Sequence, residues 1–184
     1  MAFETFLQKI PARYTVLGTI DGVVGSLATV MGLSAANASS PIIITAGISV
    51  GIGLGISNGF GGFMAERTVE QMKLRKLEKA MLKKSGALSK TKLGKDVWKK
   101  LLIDTLTHGG FSFLGAVIPV IPFILFTSLL MGTIFSFFAG IITLFFLGMY
   151  SGYMTKENMV RSGFAMLIVG ILVTLITRLF ELGH

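Results

Sequence analysis

Five hydrophobic stretches dominate this chain, running roughly over 15–38, 41–65, 103–129, 132–154 and 158–181. Each is long enough to cross a bilayer core, which takes about 20 apolar residues in a helix. In hydrocarbon every backbone N–H and C=O must be satisfied within the protein, so such stretches are confined to helices. The expected fold is all-α: a polytopic membrane protein with five transmembrane helices and a short helical cytoplasmic segment between spans 2 and 3. Composition agrees, because 52% of the 184 residues are hydrophobic before 23 glycines are counted. Soluble domains reach about 45–50% apolar only with glycine included. A charged fraction of only 14% with 15 Phe excludes an ordinary soluble enzyme and a disordered chain alike. The absence of cysteine removes disulfides, iron–sulfur clusters and thiolate metal sites.

The charge is +8, and 12 of the 17 Lys and Arg fall between Arg67 and Lys100. In a soluble protein this would suggest nucleic acid; beside membrane spans it reads as a cytoplasmic loop that obeys the positive-inside rule and meets anionic lipid headgroups. Lys9, Arg13, the basic stretch, Lys156 and Arg161 then share one side. The N-terminus is expected inside and, with five spans, the C-terminus outside. Residues 1–14 carry Phe3, Phe6, Leu7 and Ile10 at helical spacing before Pro11, the pattern of an interfacial helix rather than of a cleavable signal peptide. The segments follow as 1–14, spans 1 and 2 over 15–65, a basic cytoplasmic segment over 66–102, and spans 3 to 5 over 103–184. The second span is expected to run on as one long helix past Glu66, with Ser85-Gly86 as its stop. Trp98 reads as an interfacial anchor for the third span. No internal repeat stands out.

Polar residues inside the spans carry the functional signal. Asp21 lies six residues into the first span, roughly 9 Å deep at 1.5 Å per residue. A carboxylate there costs about 2.5–3.5 kcal/mol on insertion scales, so by default it marks an ion or proton path; a structural capping role is the alternative. Gly25, Ala28 and Gly32 share its face. In the second span Gly47, Gly51, Gly55 and Gly59 recur every fourth residue, a ridge for close helix packing. Asn58, Gly62, Glu66 and Glu70 form another stripe at the same spacing, and Asn58 falls at nearly the depth of Asp21, with room for a hydrated cavity between them. Asp104 and His108 are one helical turn apart; their oxygen and imidazole donors suit divalent ions such as iron(II) or manganese, and equally an interfacial pair. Glu66 and Glu70 read as cation collectors at the inner mouth, or as partners of Arg67 and Lys73. Glu78 reads as an ion-pair partner, as do Arg178 and Glu181 together. Pro119 and Pro122 should break the third span and free carbonyls. No Walker loop, dinucleotide fingerprint, Ser/His/Asp order or zinc-protease motif is present, so the chain does not read as an enzyme and no bound cofactor is expected.

Several motifs resemble one family. Ile20-Asp21-Gly22-Val23-Val24 followed by Val30-Met31-Gly32-Leu33 resembles the first-span Asn-Asp-Gly…Met-Gly signature of vacuolar iron transporter family proteins. Leu114-Gly115-Ala116-Val117-Ile118-Pro119-Val120-Ile121-Pro122-Phe123 is similar to its third-span Gly-Ala-Leu-Ile-Pro-Leu-Leu-Pro pattern. Leu147-Gly148 and Arg161-Ser162-Gly163 to Gly170 resemble its last two spans. The resemblance, which looks like that of a divergent prokaryotic branch in the cell membrane, implies five spans with the N-terminus inside, a homodimer, and export of iron(II) or manganese from the cytosol in exchange for protons, with Asp21 as the coupling carboxylate. Where the family's second span offers Ser-Met-Ala-Ile-Gly-Glu, this chain reads Ser57-Asn58-Gly59-Phe60-Gly61-Gly62. A soft ligand and a carboxylate are thereby absent, and Glu66, one turn on, is the candidate substitute acid. The expected function is a proton-coupled transporter of iron(II) or manganese, with Asp21, Asn58, Glu66, Glu70, Asp104 and His108 as metal-handling residues. The alternative is a non-transporting membrane module whose basic arm binds anionic lipid or a partner protein.

Overall fold

The computed structural model describes residues 11–182, with side chains through Leu179. The interfacial helix expected within 1–14 lies almost wholly outside the described residues, as does the Glu181 side chain. Six helices follow in order: α1 (Ala12–Ala35), α2 (Ser40–Ala80), α3 (Lys92–Val117), α4 (Ile121–Leu125), α5 (Leu129–Thr155) and α6 (Met159–Leu182). Pro11 precedes α1 and Pro41 sits in the first turn of α2; proline is tolerated at a helix start, where its missing N–H would be unpaired in any case.

Among the described residues, four helices are long and apolar enough to cross a membrane: α1, α2, α5 and the Met159–Leu179 part of α6. The protein is thus an all-helical, polytopic integral membrane protein. The expected third span is not a single helix. It is divided at Ile118–Val120, where Pro119 and Pro122 end α3 and leave only the five-residue α4 beyond. The first part also carries Asp104 and His108, which lower its apolar character. The carbonyl of Pro119, freed by the break, accepts a hydrogen bond from Ser136 Oγ at 2.6 Å. Val120 and Phe123 from the broken segment close the main apolar core with Leu27, Val30, Met31 and Ile43.

The 41 residues of α2 extend about 60 Å at 1.5 Å per residue, twice the thickness of a hydrocarbon core. The continuous helix expected past Glu66 is present, but it stops at Ala80 and not at Ser85-Gly86. Leu82 takes the left-handed conformation at φ 53°. Its N–H bonds to Lys79 O and that of Lys83 to Glu78 O, the paired closure that satisfies the last helical carbonyls.

Helix α1 is central, touching α2, α3, α5 and α6. Its contact with α3 is made through backbone. A Cβ on Gly18 would stand 2.5 Å from His108 O, one on Gly115 2.5 Å from Thr19 O, and one on Gly22 would overlap Ser112 O outright. The ridge of α2 serves the same end: Gly47 meets Val120, Gly51 Ala116, and Gly55 and Gly59 the backbone of α3 around Gly109 and Thr105. On α1, Gly25 meets Leu54 and Gly32 meets Thr177, so the tightest approach runs through Gly18 and Gly22 instead.

Gly22→Ala is expected to lower stability by about 1–3 kcal/mol, the usual range for overpacking, or to prevent folding. Gly110→Ala, with open space around its Cβ, should be neutral or slightly stabilising. Thermal unfolding in detergent checks the ranking, and a neutral Gly22→Ala would contradict the close approach.

Candidate functional site

The close α1–α3–α2 packing brings polar side chains from three helices to one place. Asn58 Nδ2 donates to Asp21 Oδ2 at 3.1 Å and to Ser112 Oγ at 2.9 Å. Ser112 Oγ in turn donates to the His108 carbonyl at 2.8 Å, one turn earlier on α3. The sequence places Asp21 and Asn58 at matching depth with a cavity between; the side chains instead meet directly. His108 Nε2 lies 3.8 Å from Asp21 Oδ2. The imidazole is buried, and neither ring nitrogen has a hydrogen-bond partner among the described residues. Buried polar atoms are nearly always paired, so two orphaned nitrogens beside a carboxylate are the least ordinary feature of the molecule. Asp21 itself keeps 40% of its side chain exposed.

Toward the basic end of the bundle, Tyr14 sits two turns before Asp21 on α1. It is buried, its hydroxyl donates to Glu66 Oε1 of α2, and its ring lies 5.4 Å from the His108 ring, tilted by 40°. Asp104 is buried on α3 one turn before His108. Asp21, Asn58, His108 and, through Tyr14, Glu66 are therefore assembled, with Asp104 next to them. Tyr14 and Ser112 were not singled out in the sequence. The available signal was their spacing, seven residues before Asp21 and four after His108.

Glu70 and Glu78 lie elsewhere. Glu70 accepts from Lys73 Nζ at 3.0 Å and Lys100 Nζ at 2.9 Å, tying α2 to α3 outside the apolar region. Those lysines hold its carboxyl below the ordinary range, and Glu70 in return raises Lys100. Among the described residues Glu78 forms no ion pair. Its carboxylate accepts from the backbone N–H of Leu88 at 2.8 Å and of Gly86 at 2.9 Å, turning the chain back against α2. Both bonds favour the charged form and lower its pKa. Trp98 packs against Phe63 with centroids 5.8 Å apart, under the Arg67 guanidinium. Among the described residues, no group of three or more His, Asp or Glu side chains is placed to hold a metal ion.

The VIT family model matches residues 12–92 and 79–181. The chain belongs to the VIT family. An uncharacterized protein of Methanocaldococcus jannaschii is 36% identical over 173 residues, covering 92% of this chain and 87% of its own. Vacuolar iron transporter 1 of Arabidopsis thaliana is 26% identical over 199 residues, covering 86% and 80%. A vacuolar iron transporter of Centaurea cyanus is 40% identical over 67 residues, covering 36% of this chain and 27% of its own. These matches agree with the resemblance drawn from the Asp21 and Pro119–Pro122 motifs.

The Glu78 clamp has a defined pH response. Because folding holds this carboxyl below its ordinary value of 4.5, the unfolded chain takes up the proton first. The clamp's stabilisation is complete above the ordinary value and is lost as pH falls through the depressed one. Protection of the Gly86 and Leu88 amides, taken relative to the intrinsic exchange rate at each pH, should be high at neutral pH and fall only in strong acid. Glu78→Gln should exchange faster at neutral pH.

Proposed function

We propose that this protein is a metal-ion transporter that moves iron(II) or manganese out of the cytosol in exchange for protons. The observation that carries the reading is the buried His108 imidazole, unpartnered at both nitrogens among the described residues and facing the Asp21 carboxylate. Imidazole, carboxylate and the Asn58 amide are donors of the kind these ions accept. A Cβ on Gly62 would stand 3.1 Å from His108 Nδ1, so the imidazole fills the space beside the position where the resemblance puts the family's glutamate. In this reading Asp21 takes the cation and gives up a proton, then reverses the exchange on the far side. His108 and Asn58 complete the transient site, and Asp104 and Glu66 attract cations at its mouth. Membership of the VIT family and the name of the Arabidopsis relative support it.

The α3–α4 segment then forms a broken fifth crossing, with the basic residues and the N-terminus in the cytosol and the C-terminus outside. A homodimer suits the same reading. A partly exposed carboxylate is costly against lipid, and Ser49, Gly53, Ser57 and Gly61 leave an exposed small-residue stripe on α2, the kind of surface on which membrane helices approach closely. The second reading, a non-transporting module whose basic arm binds anionic lipid or a partner, is favoured by the engagement of Glu70 and Glu78 in structural contacts.

Two measurements decide between them. Anaerobic uptake into proteoliposomes under a pH gradient should show metal flux coupled to proton movement, abolished by Asp21→Asn. Flux equal to that of empty liposomes from folded protein would favour the module. Manganese in excess should raise the thermal midpoint by selective native-state binding, about 2.7 kcal/mol at one hundred times Kd. His108→Gln should lose most of that shift while keeping its metal-free midpoint within a few degrees.

A further inference from the structure

The transport reading leaves one contact unused, that of the Tyr14 side chain with Glu66 and His108 at the basic end of the bundle. Three helices converge there: Tyr14 from α1, Glu66 from α2 and His108 from α3. The ring lies against the imidazole, with the Arg13 guanidinium 5.6 Å from its centroid on α1. The hydroxyl is fixed on Glu66. One and two helical turns deeper come the His108–Asp21 approach and the Asn58–Ser112 bond. Ser112 is fully buried and Tyr14 nearly so.

The backbone here leaves little room to open by parting helices. Gly18 and Gly22 hold α1 on the α3 backbone, and Gly55 with Gly109 holds α2 on the same helix. Separating them would give up the closest contacts in the bundle. A side chain in the first turn of α1, anchored by one hydrogen bond, moves far more readily. Rotamer changes are fast and local, whereas helix displacement is collective and slower.

Building on the transport reading, we infer that Tyr14 is a positioning residue that closes the route between the cytosol and the buried Asn58–Ser112 contact, held shut by its hydrogen bond to Glu66. The closure has a built-in release. A cation arriving at Glu66 competes with the tyrosine hydroxyl for the same carboxylate, so capture of the ion and withdrawal of the ring are linked. A purely structural tyrosine would instead contribute to packing and leave access to Ser112 unaffected when its hydroxyl is removed.

The absence of cysteine from the chain makes the test direct. Ser112→Cys is a near-isosteric reporter behind the closure, and Ser136→Cys is a buried control in the other part of the bundle. Each is treated in metal-free vesicles, basic arm outward, with a small cationic methanethiosulfonate reagent. Tyr14→Phe keeps the ring and loses the bond to Glu66. It should speed labelling at position 112 on the order of tenfold, the range for losing a hydrogen bond to a charged acceptor, and leave position 136 unchanged. Glu66→Ala removes the acceptor and should act alike, which guards against a folding defect in either variant. Equal rates at position 112 in the parent and both variants would overturn the inference, as would equal acceleration at positions 112 and 136. The labelling needs no transport, so the two readings fail separately. Fast labelling without metal flux leaves the closure standing and removes the transporter; coupled flux with Tyr14-independent labelling does the reverse.

Discussion

The close backbone approach of α1 to α3 is the contact on which the rest of the structure depends. Gly18, Gly22 and Gly115 let the two helices touch without side chains between them. Lipid chains are as apolar as leucine, so hydrophobic burial does little to hold membrane helices together. Close packing and interhelical hydrogen bonds take over that role. The approach at Gly22 sets Ser112 beside α1, and Ser112 gives Asn58 its second partner. Asp21 thus has a neutral donor beside it at a depth where an isolated carboxylate is expensive. Without these glycines the polar groups of three helices would stand apart, each facing hydrocarbon.

A second organising element lies at the basic end. There α2 runs on beyond the apolar region, and two buried acids fasten it. Glu70 joins it to the start of α3 through Lys100, and Glu78 draws the connecting loop back on the helix through two backbone N–H groups. Charge-assisted bonds of this kind are among the stronger polar contacts available. They orient the arm relative to the bundle while Arg75, Lys76, Lys79, Lys83 and Lys84 stay exposed. The acids that follow one another along α2 are thus divided. Glu66 belongs to the polar cluster, and Glu70 and Glu78 belong to the scaffold.

Much of this was legible before any coordinates. The hydrophobic stretches marked the helices, the prolines marked the break after α3, and Asp21 with Asn58 marked the polar centre. The VIT family match spans the same motifs. What escaped the sequence were contacts whose partners are far apart in the chain. Tyr14 looks like an interfacial aromatic until Glu66 and His108 are placed around it. Ser112 is an ordinary serine in an apolar helix until Asn58 reaches it. Glu78 sits among lysines and invites an ion-pair reading, yet backbone N–H groups eight and ten residues away are better placed, because the helix ends at Ala80 and the chain turns back.

By itself, the sequence determined that this chain is helical, belongs in a membrane and carries ionisable groups inside its spans. Those properties depend on transfer free energy and on backbone hydrogen bonding, which are local and add up along the chain. Only the tertiary structure decided which polar groups meet. Whether His108 faces Asp21, whether Glu66 is taken by Tyr14 and whether Glu70 is taken by Lys100 all depend on helix rotation and depth. Glycine-to-backbone contacts set both, and a shift of one residue would turn each polar side chain by about 100° and leave it without its partner.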